Sequence, residues 1–397
     1  MATEVTVIVD PDNGAGTDYT SLAAAIAGEA RNLVTADEQL TIKCRCTGGT
    51  ADGPATIDGF TTDATRYVKV WTDPSESYRH AGTYPSGNKY RIENSGPNAI
   101  LAVSVANALI EGLAIKNTTS GISGYPSCFY VQMPNGRITF KSCFALGEGT
   151  TSSGNMGYNC TSSTGAIVKH INCVATGFYK SGSNYHCGFR QNALGTFYYY
   201  NCTSFYNYLG FKQEQGHAYA YNCIAARNYD DFYTWGVADH CASDDLDGTN
   251  AVDISPGAIE ADDWAACFND YANGDFSLKS GSVCIGAGVD DPGSGLYSDD
   301  ILGNTRTSPW DIGAFEYVGA APSGITGTLA ATLADSTSSS AGAVAIAGAS
   351  AQTLANSTTS SAGAVAITGA SAPTLANATL SSAGAVVSGI TGSFAQT

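Results

Sequence analysis

The side chains able to do chemistry crowd into one part of the chain. Tyr185, Arg190, Lys212, Glu214, Asp230, Asp231, Tyr233 and Trp235 all fall within a short span. Arg190 and Lys212 stand 22 residues apart. Asp244 and Asp245 follow closely. Two carboxylates facing across a groove would suit glycoside hydrolysis. Aromatic rings pointing outward beside a few charges would instead suit stacking on sugar rings, the chemistry expected here for those eight residues.

Other candidates are weaker. Asp244-Asp-Leu-Asp-Gly248 reads as a turn and lacks the full spacing of a calcium loop. Cys44-Arg-Cys46 is the closest cysteine pair, and that spacing alone does not make a zinc site. No metal site and no cofactor are expected. His170, His186, His217 and His240 lie within repeats. His186-Cys187 and His240-Cys241 look like variants of an Asn-Cys pair, so these histidines read as structural.

The elements that must position these residues repeat. Gly157-Tyr-Asn-Cys160, Val168-Lys-His-Ile-Asn-Cys173, Phe197-Tyr-Tyr-Tyr-Asn-Cys202 and Ala218-Tyr-Ala-Tyr-Asn-Cys223 share an ending. Phe189, Phe211 and Phe232 step by 22 and then 21 residues. A period near 21, built of alternating strands and polar turns, is a solenoid signature. Equivalent positions in parallel coils stack ~4.8 Å apart. The repeated cysteines are therefore expected as an interior ladder of reduced thiols. In Phe197-Tyr-Tyr-Tyr200 both faces are aromatic, so one must point outward.

Bulk properties narrow the function. The 397 residues carry a net charge of −17, which argues against nucleic acid and anionic membrane surfaces. No apolar run is long enough to span a membrane, and the start of the chain lacks the basic and apolar regions of a signal peptide.

Taken in order, residues 4–9 alternate as a strand. After an Asp/Gly turn, Tyr19-Thr-Ser-Leu-Ala-Ala-Ala-Ile26 opens a helix that Thr20 or Ser21 can cap, with Leu22, Ala25, Ile26 and Ala30 on one face. Strands are expected at Leu40–Cys46, Arg66–Trp71, Lys89–Glu93, Ala99–Val103 and Ala108–Lys116, with a loop over Asp73–Asn88. A short helix is expected over Asp262–Phe268.

The strand, the turn and Tyr-Thr-Ser-Leu-x-x-Ala-Ile resemble the opening of pectin-lyase-like right-handed parallel β-helix proteins, including pectin methylesterases. The resemblance implies that the helix plugs the N-terminal end. Asp275-Phe-Ser-Leu278, Ser282-Val-Cys-Ile-Gly-Ala-Gly288, Gly303-Asn-Thr-Arg306 and Asp311-Ile-Gly-Ala-Phe-Glu-Tyr317 resemble the closing segment of many bacterial and viral β-helix proteins. The expected fold is all-β: a right-handed parallel β-helix over 1–317 with an N-terminal capping helix.

The catalytic patterns of that family fit poorly. Gln191 is followed by Asn192 where a methylesterase has an acid, and an amide cannot act as general acid or base. Gln213-Glu214 supplies a carboxylate one coil later, without the surrounding pattern. His217 precedes Asp230-Asp231, the reverse of the polygalacturonase order. Catalytic residues remain unassigned, and the balance leans away from an enzyme.

Residues 318–397 change character. They hold one charge (Asp335), one aromatic (Phe394) and no cysteine. Thr332-Leu-Ala, Thr353-Leu-Ala and Thr374-Leu-Ala recur every 21 residues. Such Ala/Ser/Thr/Gly repeats resemble those appended to bacteriophage virion fibre and appendage proteins. A β-structured, oligomerising or attachment stalk is expected. The resemblance implies a structural or receptor-binding virion protein (tail spike, fibre or capsid appendage), assembled in the host cytoplasm. Its implied partners are further copies of itself, as a trimer, other virion proteins and a host surface polysaccharide. Two alternatives stand: a polysaccharide lyase or hydrolase of the same fold, and a bacterial adhesin at the cell surface.

Overall fold

The computed structural model describes residues 2–319 except 120–125, 133–134, 149–153, 162–164, 181–184 and 255–260, where 261–263 are described in backbone only. Beyond 319 it describes the backbone of short strands between 325 and 381. Two compact units result, Met1–Tyr317 and Val318–Thr397.

The first unit is a right-handed parallel β-helix. Each complete coil contributes a strand to each of three sheets, and the end coils to fewer. Sheet one has nine parallel strands, from Thr3–Val9 to Val237–Asp239. Sheet two has eight, from Ile92–Asn94 to Val252–Asp253. Sheet three has seven, from Ala55–Ile57 to Asp230–Tyr233. Parallel pairing is possible without long crossovers because each strand meets its neighbour one coil later.

The core is a pair of aromatic stacks. Phe129, Tyr158, Phe189, Phe211 and Phe232 rise along sheet three, with centroid spacings of 4.7, 4.7, 4.8 and 5.0 Å. Phe140, His170 and Tyr199 stack on sheet one at 5.2 and 4.6 Å. The stacks meet edge to face, as at Phe189–Tyr199 (5.6 Å), the geometry the ring quadrupoles prefer. Tyr199 is thus the inward residue of the Phe-Tyr-Tyr-Tyr run, while Tyr198 and Tyr200 stack outward on Tyr219 and Tyr221.

A tight corner joins sheet one to sheet two. Gly112, Ser142, Asn172, Asn201, Asn222 and His240 occupy it with φ between 49° and 72°. Asparagine tolerates this left-handed conformation better than most residues, which explains the recurring Asn. The next residue turns inward, so Cys143, Cys173, Cys202, Cys223 and Cys241 form a buried row. All twelve cysteines are free and buried.

The asparagines do more than turn the chain. Asn172 Nδ2 donates to the Asp299 carbonyl (2.7 Å), Asn201 Nδ2 to that of Asp311 (2.8 Å) and Asn222 Nδ2 to that of Val289 (2.8 Å). Their one direct link, Asn222 to Asn201, is 3.5 Å long. The row is therefore the seat of the closing segment, rather than a ladder bonded within itself. Two apparent repeats belong elsewhere: Asn159-Cys160 and His186-Cys187 lie in sheet three. Of the two His-Cys pairs, His240-Cys241 is the one at the corner.

At the N-terminal end, helix α1 (Leu22–Glu29) is capped by Ser21, whose side chain accepts from Ala24 N. Leu22, Ala25 and Ile26 are buried in the main core. Asp52 accepts from Leu22 N (2.8 Å) and from the Tyr90 hydroxyl (2.7 Å), fixing the start of α1 to the first coils. The run Ala108–Lys116 is two strands, Asn107–Glu111 and Ala114–Asn117, broken at Gly112. Strands Ala55–Ile57 and Ser127–Val131 and the short helix Leu33–Ala36 carry too little pattern to be expected from sequence. The late helix spans Ala261–Cys267. No described helix is long and apolar enough to cross a membrane.

In the second unit the strands pair in parallel within the one chain. Leu333, Leu354 and Leu375 are in register, as are Thr337, Thr358 and Thr379. The 21-residue period of the sequence is thus the coil length.

Candidate functional site

The outer face of sheet three gathers most of the residues expected to act together. Asn159, Arg190, Lys212 and Tyr233 occupy one register position in four successive coils. Each lies next to an inward ring of the Tyr158–Phe232 stack, so strand alternation turns it outward.

Glu214 joins the two cations. Arg190 Nη2 lies 2.8 Å from Glu214 Oε2, and Lys212 Nζ lies 2.5 Å from Glu214 Oε1. Arg190 Nη1 also donates to Asn159 Oδ1 (3.1 Å). Burial alone would raise the Glu214 carboxyl, but hydrogen bonds from Lys212 and Arg190 outweigh it and hold it below its ordinary value. Glu214 is therefore ionised at neutral pH and has no proton to donate.

Two tyrosines frame this triad. The Tyr185 ring lies 4.7 Å from Lys212 Nζ and 5.3 Å from the Arg190 guanidinium carbon. The Tyr233 ring lies 5.8 Å from Lys212 Nζ. Arg190 and Lys212 are themselves only 7% and 5% exposed, so their charge is presented through a narrow surface.

Two of the expected residues are placed elsewhere. Asp231 is fully buried and accepts from Asn228 Nδ2 (2.8 Å) and Asp244 N (3.0 Å). It takes the inward place that Gly210 holds one coil earlier, where it closes the corner instead of meeting solvent. Trp235 lies edge-on to Tyr199, Phe211 and Phe232 at 5.2 to 6.0 Å, ending the core stack. Its indole donates to the Val237 carbonyl. Both residues sit where the last coil must cover apolar rings.

Asp230 stays half-buried and joins a second cluster. Carboxylate oxygens of Asp230, Asp245 and Asp247 lie within 4.8 Å of one another, and so do those of Asp231, Asp244 and Asp245. Such oxygens are of the type that ligates hard cations. Crowding has a measurable consequence: burial, with Asp245 adding to it, pushes Asp247 up to about 7. Burial and Asp245 raise Asp230 as well, and burial with Asp244 holds Asp231 well above the carboxylate range.

Asn159 was not legible as a site residue. It aligns with Arg190 only through register, and the segments between these coils are longer than the 21-residue period. Tyr130 precedes it in the same row; its hydroxyl accepts from Thr161 Oγ1 (2.9 Å). The usable signal was the aromatic residue just before each, Phe129, Tyr158 and Phe189.

No family model matches the chain, and no curated protein matches it. Among solved structures, the crystal structure of pectate lyase Pel9A aligns with 80% of this chain and 97% of that one, at 16% identity and a TM-score of 0.34. The fold described above rests on the strand register of this chain itself.

Proposed function

We propose that the chain is a glycan-contacting β-helix of a virion appendage, with sheet three as the face that meets a host surface polysaccharide. The Arg190–Glu214–Lys212 triad between Tyr185 and Tyr233 carries this reading. Tyrosine rings offer flat apolar surface with low entropic cost, and the two cations with one carboxylate offer hydrogen-bonding groups held in fixed positions. Buried ion-paired side chains keep their geometry without ligand, as a recognition surface requires. The ionised Glu214 suits binding better than proton transfer. The small-residue repeats of 318–397 support an attachment role, and further copies of the chain are the proposed partners there.

The test is binding of the full chain to an array of neutral and acidic surface polysaccharides. The reading expects wild type to bind and Tyr185→Ala/Tyr233→Ala to lose binding at least tenfold. Equal binding by wild type and the double variant would overturn it.

A second reading, a polysaccharide depolymerase, is supported by one observation. Asp247 is a carboxyl pushed up to about 7 among other carboxylates, a property common at sites of acid–base chemistry. New reducing ends or unsaturated uronates released from a bound polysaccharide, and lost in Asp247→Asn, would select it.

A further inference from the structure

A cleft of about 520 Å³ opens on the outside of sheet two, away from the triad on sheet three. Its floor is Phe144 and Phe205, and its two walls carry Tyr84 and, opposite, Tyr206 with Tyr271. The volume falls in the range of small-ligand sites, and the lining mixes aromatic rings with the polar side chains of Glu148, Thr176, Arg227 and Asn273.

Arg227 is the polar group that decides what the cleft can hold. Its guanidinium carbon lies 4.8 Å from the centre of the Tyr206 ring and 5.8 Å from that of Tyr271. Tyr206 and Arg227 occupy the same left-handed corner in successive coils, each with φ 54°. The hydrogen bond from Tyr206 N to the Ala226 carbonyl fixes one beside the other. Tyr179 stacks on the far side of Tyr206 at 5.2 Å, holding that ring in place.

Arg227 is exposed, and among the described residues no carboxylate comes within ion-pairing distance of it. In a chain of net charge −17 that is unusual. Most other cations here are paired: Lys116, whose Nζ lies 5.0 Å from the Tyr84 ring, has Glu148 at 3.5 Å and Glu93 at 3.9 Å. A guanidinium held between two aromatic rings keeps its planar fork of donors free for a carboxylate, which it can bind through two hydrogen bonds. The Tyr271 ring beside it offers flat surface to the C–H face of a sugar.

We propose that this cleft is a second saccharide site, specific for a carboxylated pyranose such as a uronic acid. The carboxylate pairs with Arg227, held over Tyr206, and the sugar ring stacks against Tyr271. Glu148, held by Lys116, is placed to accept from sugar hydroxyls.

The test uses the full chain, oligogalacturonate and its methyl ester, with affinity read by calorimetry. Wild type should bind the acid at least tenfold more tightly than the ester, the worth of one charge-assisted pair. Arg227→Met should erase that preference, and Tyr271→Ala should weaken both ligands. Lys212→Met, on sheet three, should change the affinity by no more than about twofold. Arg227 is exposed, so the variant is expected to fold; an unchanged unfolding midpoint checks this. No binding of oligogalacturonate to wild type, equal binding of acid and ester, or loss in Lys212→Met with Arg227→Met unaffected would each overturn the proposal.

Discussion

Arg306 Nη2 donates to Asn172 Oδ1 at 2.8 Å, across 134 residues of chain. Arg306 is almost fully buried and also bonds the Gly313 carbonyl (3.1 Å) and the Glu316 carboxylate (3.3 Å). It thereby ties the closing segment both to itself and to the corner of the β-helix. Replacing it leaves Asn172 Oδ1 without its Arg306 donor and the buried Glu316 without its counter-charge. Arg306→Met should cost about 3–5 kcal/mol, the usual result of removing one partner from a buried ion pair. Asn172→Ala should cost about 1–3 kcal/mol. Urea unfolding gives both values, and limited proteolysis should cut first within 279–317 in the variants. Unchanged midpoints would refute the latch.

Two histidines set an acid limit on stability. His80 Nε2 donates to the Ser142 carbonyl (2.8 Å), and Nδ1 accepts from Gly82 N (3.1 Å), so the neutral ring uses both nitrogens. Burial pushes His80 and His170 down to about 4. A histidine depressed in the folded state binds fewer protons there than when unfolded, so its contribution is complete above an ordinary pKa of ~6.5. It is lost as pH falls from there toward 4. The unfolding midpoint should therefore drop over this interval. His170→Phe keeps the stack and should shallow the drop.

Inward and outward rings of the same strands should respond differently. Phe189→Ala empties a place in the core stack and should cost about 3–5 kcal/mol. Tyr198→Ala removes an outward ring and should cost about 1 kcal/mol or less. Chemical denaturation of the two variants in parallel checks the contrast, and equal losses would contradict the assigned alternation.

The aspartate cluster acts in the opposite sense to the histidines. A carboxyl raised to about 7 binds a proton in the folded state that the unfolded chain releases near 3.8. Its contribution is complete below the unfolded value and is lost as pH rises through 7. Asp247→Asn removes this cost, so the variant should unfold at higher temperature than wild type at pH 8. At pH 4 the difference should vanish.

Much of the scaffold was legible because the repeat is short and its side chains differ sharply. Phe189, Phe211 and Phe232 announced the sheet-three stack by their spacing alone. Cys202 and Cys223 announced the interior thiol row in the same way. Where the coils lengthen, between Phe129 and Phe189, the period disappears. Asn159-Cys160 was then grouped with Asn172-Cys173 and its later repeats, and Asn159 was missed beside Arg190. Register across parallel strands is decided by pairing in space, which sequence separation does not encode once loops vary.

By itself the sequence determined the period, the parallel β-helix and the thiol row of its interior, because apolar alternation must face a core. It also placed Arg190, Lys212 and Glu214 within one coil of each other. Only the tertiary structure decided which charged and aromatic residues meet solvent. Asp231 and Trp235 share a short strand and turn with Asp230 and Tyr233, yet the last coil's need to cover exposed rings draws the first pair inward. The structure alone also seats the closing segment on the asparagine corner. That contact joins residues more than a hundred positions apart through hydrogen bonds that carry no sequence pattern.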